Sequence, residues 1–529
     1  MFDDLKPHFK YDPKITVTIL ILFFGVWANL YLNLHMDIDI AWLLQCLDRF
    51  MAGGSYINDF YETNPPLSFI IYLPAYPFYT FLGLDAKFCV FLLFILYIVI
   101  ANYTTLKLLR LNDYSKHDCM IVISACIFAQ SWVSALSYGL KDHLIVIFLI
   151  PLCLYQYTTI HKANIPKHIA LLSIIMGGVA VCLKPYYAIL PGLLFLYRMK
   201  KNALMSTVTS MGFIGLAVIG SVYLAFIYIY TPEFIDLLPE IISVYSVEQP
   251  YPLSFRLHYV MYAIAGFVFA HILFKNEDQQ NLKNIVLFFT ILSIICLIPF
   301  ALQNKGFHYH ALPTLAFGMI SLFIGIYGIT KKLLDDSDFA IWAVLLAMSI
   351  MSFTYTTGGK NANMSRGQYI AHPLTDTIEE LAWNNVYATY DFKNMLTPLP
   401  YLTNLQNGSR YGQVWTLGGL LEKINLTQDE EERVAIKDEM NKYITVMADD
   451  LSRYKPSVIT IPQYMDKAVG KHTKNYYNFL IKNDAFKEKM QNYEYNDTIK
   501  FDYTLTLNNT NEEKIVPHDI YVLKRDHNL

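Results

Sequence analysis

The chain has 529 residues, of which 54% are hydrophobic and only 16% are charged, and its formal net charge is -3. Soluble globular proteins carry about 25% charged residues, so this composition excludes an ordinary soluble protein. The net charge says nothing useful about nucleic acid, and the sequence has no basic arm, so no nucleic-acid partner is expected. The seven cysteines form no CxxC pair, which predicts packing residues rather than metal ligands or a disulfide framework.

Apolar runs recur from about residue 15 to residue 353, and a helix needs about 20 apolar residues to cross the hydrocarbon of a bilayer. The polar N-terminal segment does not resemble a cleavable signal, so we expect the first run to be a retained transmembrane helix. Twelve candidate spans follow the chain: about 15–34, 66–84, 88–106, 118–138, 143–160, 168–183, 186–198, 203–230, 257–274, 284–301, 311–330 and 339–355.

Basic residues are retained on the cytoplasmic side of membrane proteins, so their clusters predict the topology. If all twelve segments cross, every cluster after the first falls outside. Segment 66–84 contains Pro74 and Pro77, and we therefore predict that it does not cross but forms an external juxtamembrane or re-entrant segment. About eleven transmembrane helices then remain, with a cytoplasmic N-terminus. The clusters are Lys6, Lys10 and Lys14; Lys107, Arg110 and Lys116; Lys162 and Lys167; Arg198, Lys200 and Lys201; Lys275 and Lys283; and Lys331 and Lys332.

The first external loop, 35–64, carries two carboxylates where the first helix leaves the lipid. Asp37 and Asp39 precede apolar residues at helical spacing, which predicts a helix lying in the membrane interface. Asp39 is either a helix cap or a functional carboxylate, and Asp37 is either a solvated loop residue or a second functional one. His35 lies beside them in the sequence.

Two further patches follow at helix ends. In YGLKDHLIVIF, Asp142 opens a helix, where it caps that helix or serves a site, and Lys141 and His143 flank it. In VCLKPYY, Lys184 ends an apolar run before a proline. Lys184 either extends to the membrane surface or binds an anion, and Lys141 either anchors at the interface or assists it.

The last patch is QNKGFHYHALP, with Lys305, His308 and His310. The two histidines are spaced i, i+2, unlike the i, i+4 spacing of a helical zinc pair, so structural polar contacts are favoured over metal ligation.

The predicted topology brings all of these patches to the outer face, where they would line one pocket. Carboxylates can take a proton from a hydroxyl or hold a divalent cation such as Mg²⁺ or Mn²⁺, for which Asp37, Asp39 and Asp142 are the candidates. Lysines suit a phosphate. The combination predicts a reaction on a phosphorylated lipid whose head group faces outward.

The order of these motifs resembles that of the GT-C superfamily of membrane glycosyltransferases. The similarity is greatest to bacterial relatives of dolichyl-phosphate-mannose protein mannosyltransferases and to lipid A aminoarabinose transferases. That family carries an acidic residue after helix 1, a glycine about fourteen residues later and a Pro-Pro-Leu. Asp39, Gly53 and 65–67 match these elements. Asp142 matches the second acidic residue of the family. The motif CLKP resembles the lysine element of the family, and YHALP resembles the entry to one of its late helices. The usual acidic pair reads Asp39-Ile40 here, so either Asp37 supplies a second carboxylate or one suffices.

The resemblance implies a polyprenyl-phosphate sugar as donor and a hydroxyl acceptor on a cell-surface glycan, lipid or protein. Asp39 would be the general base of an inverting transfer. Lys184, helped by Lys141 or Lys305, would bind the donor phosphate, and the histidines would line the pocket. It also implies a multi-pass protein of the bacterial inner membrane. The alternatives are a polymerase or ligase that uses a lipid-linked polysaccharide, and a transporter or flippase.

The predicted membrane domain, 1–356, includes a juxtamembrane segment at 65–86, and a soluble periplasmic α/β domain, 357–529, follows it. In this tail, Thr427 to Glu430 is typical of a capping box that opens a helix ending before Lys455. SVITIP predicts a strand, 477–490 a helix, and 498–507 and 519–525 two more strands.

Overall fold

The computed structural model describes residues 13–161, 164–247, 280–303, 307–334, 337–360, 365–391, 395–463, 475–502 and 515–524, with a few more between 261 and 272. The chain packs into two units, each made of three segments. The first comprises Met1–Tyr31, Val90–Ala225 and Pro250–Gly359, and the second comprises Leu32–Cys89, Phe226–Gln249 and Lys360–Leu529.

The first unit is a bundle of helices. Its described helices, some of which continue into the second unit, are α1 (Pro13–Asn33), α5 (Ala86–Leu111), α6 (Lys116–Phe128), α7 (Lys141–His161), α8 (Lys167–Leu183), α9 (Ile189–Lys201), α10 (Leu204–Val208), α11 (Met211–Tyr230), α13 (Gln280–Gln303), α14 (Leu312–Leu334) and α15 (Ser337–Lys360). Ser115 and Asp118 form a capping box that starts α6, as their spacing requires.

Five stretches in the described part of the chain are long and apolar enough to cross a membrane: Ala86–Leu111, Lys141–Ile160, Met211–Tyr230, Gln280–Gln303 and Tyr309–Leu334. Helix α11 leaves most of its apolar side chains uncovered, with Val222 65% and Leu224 67% exposed. Water would oppose an apolar surface of this size, whereas lipid tails cover it at no cost. The helical unit is therefore a membrane-embedded one.

The predicted count of eleven crossing helices is not confirmed. Among the described residues, three further apolar stretches are shorter: Ile21–Asn33 within α1, Lys167–Leu183, and Ser337–Phe353 within α15. The predicted span 186–198 is a 3-10 turn followed by the 13-residue helix α9. Half of the predicted span 257–274 lies outside the described residues.

The predicted continuous helix 118–138 is wrong. Helix α6 stops at Phe128, and a π-helical turn (Ala129–Val133) and a 3-10 turn (Ala135–Ser137) follow it. Ser131 and Ser134 donate their hydroxyl protons to the carbonyl oxygens of Ile127 and Ala129. These bonds compete with the regular helical ladder, and hydropathy alone does not reveal them.

Helices α7 and α8 follow each other in the chain and pack side by side, so the start of α7 lies beside the end of α8. Gly177 of α8 permits this close approach. A Cβ atom at that position would lie 2.5 Å from the Cβ atom of Leu152 on α7. The packing of these two helices determines where Asp142 and Lys184 meet.

The second unit combines the loop 35–64 with the polar tail. Its described helices are α2 (Ile38–Met51), α3 (Leu67–Ile70), α4 (Tyr76–Thr80), α12 (Glu233–Val247), α16 (Arg366–Ile370), α17 (Pro373–Leu381), α18 (Trp415–Leu426), α19 (Glu430–Tyr454), α20 (Tyr476–Leu480) and α21 (Asp484–Met490). Segment 66–84 holds only the short helices α3 and α4, which confirms that it is not a continuous helix. Its external position remains a prediction.

The tail contains one five-stranded sheet. Strands β1 (Val386–Thr389), β2 (Gln406–Asn407), β3 (Val458–Pro462), β4 (Tyr493–Asp502) and β5 (Ile515–Leu523) lie in the order β2-β1-β3-β5-β4. β1 pairs in parallel with β2 and β3, whereas β5 is antiparallel to β3 and β4. The α/β class of the tail is as expected, and β3 is confirmed at SVITIP.

Two details of the predicted tail are wrong. Asp429, rather than Thr427, caps α19, because its carboxylate accepts the N–H of Glu432. The predicted helix 477–490 is interrupted at Asn483, whose side chain accepts the N–H of Phe486 and starts α21. Polar side chains that bond the backbone start new helices at points that hydrophobic periodicity does not indicate.

Helix α2 is anchored to the tail through two polar side chains, those of Gln45 and Arg49. Gln45 donates to the carbonyl oxygen of Thr397 at 2.7 Å. Arg49 donates to the carbonyl oxygens of Asn407 and Ser409 at 2.7 and 2.8 Å. The loop 35–64 and the tail therefore form one packed body. The predicted domain boundary at 356/357 remains a prediction.

We predict that Gly177→Ala destabilises the helical unit by about 1–3 kcal/mol, because the new methyl group overlaps the side chain of Leu152. Thermal unfolding of the purified protein in detergent measures the effect. Gly192→Ala on α9 is the matched control, since a Cβ atom there meets nothing within 4 Å. Equal melting temperatures for the two variants would show that α7 and α8 are not constrained at this contact.

Candidate functional site

Asp37 caps α2, and this leaves Asp39 inside the helix. The Asp37 Oδ1 atom accepts the backbone N–H of Asp39 at 2.9 Å and that of Ile40 at 3.4 Å. Asp39 stands in the first turn, half-buried, with its Oδ1 atom 3.5 Å from the Nε2 atom of Gln413. Both simple interpretations from the sequence are therefore wrong: Asp39 is not the cap, and Asp37 is not merely a solvated loop carboxylate.

A third carboxylate on α2, that of Asp48, is held by tyrosines. The hydroxyl groups of Tyr79 and Tyr401 donate to its two oxygens at 2.7 and 2.6 Å. Burial raises the pKa of Asp48, although these hydrogen bonds oppose the shift. Because both oxygens already accept hydrogen bonds, Asp48 acts as an anchor for the helix.

His35 and a buried lysine lie near the start of α2. The ring of His35 stacks on that of Tyr369, with centroids 5.5 Å apart and planes 4° from parallel. Lys87, only 4% exposed, donates from Nζ to the carbonyl oxygen of Leu34 at 2.5 Å. Among the described lysines of the second unit, Lys87 alone is buried, and the sequence analysis did not identify it.

In the first unit, Asp142 and Lys184 form a buried ion pair. The Lys184 Nζ atom lies 2.6 Å from the Asp142 Oδ1 atom, and their side chains are only 10% and 1% exposed. The same ammonium donates to the Oε1 atom of Gln303 at 3.0 Å and lies 5.9 Å from the ring centroid of Tyr309. Lys184 therefore does not extend to the surface, and Asp142 does more than cap a helix.

His143 fixes the turn that carries Asp142. Gly139 donates its backbone N–H to Nδ1 of His143 at 3.2 Å, so the ring proton is on Nε2. That nitrogen donates to the carbonyl oxygen of Gln130, in the π-helical turn, at 2.7 Å. The fully buried ring therefore joins the π-helical turn to the first turn of α7.

The remaining candidates are only partly described. Lys141 is buried at 7% exposure, at the start of α7. His310 is also buried, and its carbonyl oxygen accepts the hydroxyl proton of Tyr187 at 3.5 Å. His308 begins a 3-10 turn, His308–Ala311, but its side chain lies outside the described residues. Lys305 lies outside them as well.

The candidate cation ligands already have other partners. Asp37 accepts backbone N–H groups, and an ammonium group occupies the position on Asp142 that a metal ion would take. Within the described parts of the chain, no three His, Cys, Asp or Glu side chains are grouped to hold a metal ion. The described partners of Asp37 and Asp142 are therefore backbone N–H groups and a lysine.

Gln303 and Gln413 were missed from the sequence. Gln303 ends an apolar helix four residues after Pro299, and a polar side chain at the end of a span could have marked it. Gln413 lies in a polar tail with many similar residues, so no sequence signal distinguished it. Only the packing of the tail on α2 brings it to Asp39.

No protein-family model and no curated protein sequence matches the chain. The solved structures that are similar to it include two of ArnT from Cupriavidus metallidurans. The alignment with the apo structure has a TM-score of 0.52 at 12% identity, and it covers 84% of this chain and 93% of the ArnT chain. The structure bound to undecaprenyl phosphate has a TM-score of 0.53 at 12% identity and covers 96% and 98%.

The chain shares the fold of these ArnT structures, and the resemblance predicted from the sequence motifs is confirmed at the level of the fold. The similarity to ArnT extends over nearly the whole of both chains, including the tail. Together with the five long apolar stretches, this fold defines the chain as an integral membrane protein.

We predict that Lys184→Met lowers the free energy of unfolding by about 3–5 kcal/mol, because it leaves the carboxylate of Asp142 buried without a counter-charge. The double variant Lys184→Met/Asp142→Leu should recover most of the loss, since no charge then remains buried. Thermal unfolding in detergent measures both.

The control for this prediction is Lys489→Met, which removes an exposed lysine that pairs with Glu488. Surface pairs contribute about 0–1 kcal/mol, so its melting temperature should barely change. A Lys184→Met protein as stable as this control would contradict the assignment of a buried, mutually dependent pair.

Proposed function

We propose that this protein transfers a sugar from a polyprenyl-phosphate donor to a hydroxyl group of an acceptor glycan, lipid or protein. The observation that carries the proposal is the GT-C fold, shared over most of the chain with an ArnT structure that holds undecaprenyl phosphate. The described groups supply the two kinds of chemistry that such a transfer needs. These are a carboxylate for proton removal and a cation for the phosphate.

Asp39 is the proposed general base. Its carboxylate is not consumed by capping, because Asp37 takes the backbone N–H groups at the start of α2. Asp39 is half-buried, so its carboxylate is partly shielded from bulk water. Asp39 would remove the acceptor proton while the hydroxyl oxygen attacks the anomeric carbon from the side opposite the lipid phosphate. The bond from this carbon to the phosphate oxygen would break, and the configuration at the carbon would invert.

Lys184 is the proposed partner of the donor phosphate. Its ammonium is held at a defined point by Asp142 and Gln303 rather than moving on a flexible stem. A phosphate would compete with Asp142 for this cation or share it, since both are anions. Lys141, buried at the start of the same helix as Asp142, and Lys305 are the proposed helpers.

The proposed location is a bacterial inner membrane, with the N-terminus in the cytoplasm and the tail in the periplasm. Its support is the distribution of basic residues in the sequence, which this orientation retains on the cytoplasmic side. A donor flipped to the outer leaflet would then meet the acceptor outside the cell membrane.

We predict that Asp39→Asn lowers transfer at least about 100-fold, because the amide cannot accept the acceptor proton. Purified protein in lipid nanodiscs is given a panel of undecaprenyl-phosphate monosaccharides, with envelope extract of the source cells as acceptor. Release of undecaprenyl phosphate is measured, because it is the common product whatever the sugar.

Asp37→Asn is the matched control for this experiment, two residues away with the same loss of charge. Asn caps helices about as well as Asp, so this variant should fold and remain active. Activity in Asp39→Asn comparable to that in Asp37→Asn would remove Asp39 from the reaction. No release by the wild-type protein with any donor would overturn the proposed function.

We also predict that the double variant Lys184→Met/Asp142→Leu binds undecaprenyl phosphate at least about tenfold more weakly than the wild type, since the ammonium that pairs with the phosphate is lost. Native mass spectrometry measures the affinity. Undecaprenol, which lacks the phosphate, is the control ligand, and its binding should be unchanged. Equal affinity of both proteins for undecaprenyl phosphate would assign Lys184 a purely structural role.

A further inference from the structure

One segment of the tail, residues 407–413, passes directly over helix α2, and we name it the crossing segment. Gly412 lies on the indole of Trp42, where a Cβ atom would be only 2.2 Å from the Cδ2 atom of that ring. Arg49 of α2 holds the carbonyl oxygens of Asn407 and Ser409 at 2.7 and 2.8 Å. The backbone of the crossing segment is therefore fixed against the helix that carries Asp39.

The crossing segment is also held from its other side. Tyr61 donates its backbone N–H to the carbonyl oxygen of Arg410 at 2.7 Å. The backbone N–H and the Nε atom of Arg410 donate to the two carboxylate oxygens of Asp450 on α19, at 2.9 and 2.8 Å. The Asp450 side chain is fully buried, so this pair is a firm attachment. Contacts on both sides leave the crossing segment little freedom to shift.

This construction brings one polar side chain to the proposed base. The Nε2 atom of Gln413 lies 3.5 Å from the Oδ1 atom of Asp39, and Gln413 is half-buried. An amide N–H that faces a carboxylate restricts the rotation of that carboxylate and so fixes the direction of its oxygens. The contact is long for a hydrogen bond, and closing it needs only a small movement of one side chain.

We infer that Gln413 is a positioning residue for Asp39, and that through it the tail contributes to the chemical step of the transfer. The inference rests on the proposed function, since it assigns a role within that reaction. Gln413 orients the carboxylate and does not itself touch the reacting atoms. Its loss should therefore lower kcat and leave the KM for the lipid donor nearly unchanged.

Two substitutions separate this role from simple packing. Gln413→Ala removes the amide and should lower kcat about tenfold, because misoriented catalytic groups lose rate steeply. Gln413→Glu keeps the shape of the side chain but places a second carboxylate against Asp39, so it should lower kcat at least as much. Gln406→Glu is the matched control. It introduces the same change of charge at an exposed position, seven residues before Gln413.

Wild-type kcat in Gln413→Glu, with a loss only in Gln413→Ala, would overturn the inference in favour of a packing role. A double-mutant cycle adds a second criterion. In an Asp39→Asn background, Gln413→Ala should cause no further loss, because its target is already gone. If the two losses multiply, Gln413 acts independently of Asp39 and the inference fails.

A chemical probe makes failure of the inference distinguishable from failure of the proposed function. Wild-type protein that releases no undecaprenyl phosphate from any donor overturns the function. The contact is then tested alone by coupling carboxyl groups to glycine ethyl ester with a carbodiimide and quantifying the Asp39 peptide by mass spectrometry. Gln413→Ala should change the labelling rate of Asp39 at least twofold relative to Gln406→Glu. Equal rates would overturn the inference on structural grounds.

Discussion

The buried ion pair between Lys184 and Asp142 constrains how the helices of the first unit pack. Two charges at 2.6 Å, with side chains 10% and 1% exposed, are stable in an apolar bundle only if their positions match closely. That match requires the start of α7 to lie at the end of α8, which the missing side chain of Gly177 allows. His143 then locks the turn before α7 to the π-helical turn.

In the second unit too, the surroundings of a carboxylate depend on contacts between distant parts of the chain. Asp37 supplies the cap of α2, so the carboxylate of Asp39 is left for other partners. The tail packs on this helix through Arg49 and its carbonyl partners, and Gln413 thereby reaches Asp39. A domain that composition presents as a separate soluble module is thus built into the same packed body as the proposed base.

Whether an element could be predicted from the sequence depends on the range of the interactions that form it. Strand β3 was correctly predicted, and α11 occupies Met211–Tyr230 of the span predicted at 203–230, because a run of apolar or β-branched residues acts locally. The start of that span forms the separate short helix α10. The helix predicted at 118–138 and the one predicted at 477–490 were wrong, since serine and asparagine side chains bond the backbone there. The number of crossing helices was not confirmed, because a short apolar helix such as α9 does not by its composition reveal whether it crosses.

The sequence by itself determined that this is a membrane protein, the order of its motifs and the residue types of its candidate site, because hydropathy and motif spacing are written along the chain. Only the tertiary structure decided the partners. Asp142 pairs with Lys184, which lies 42 positions later in the chain, and Asp37 caps its own helix. The tertiary structure also brought Gln413 to Asp39, 374 positions away. Contacts between distant residues depend on the packing of whole helices and strands, and no local pattern of side chains encodes that packing.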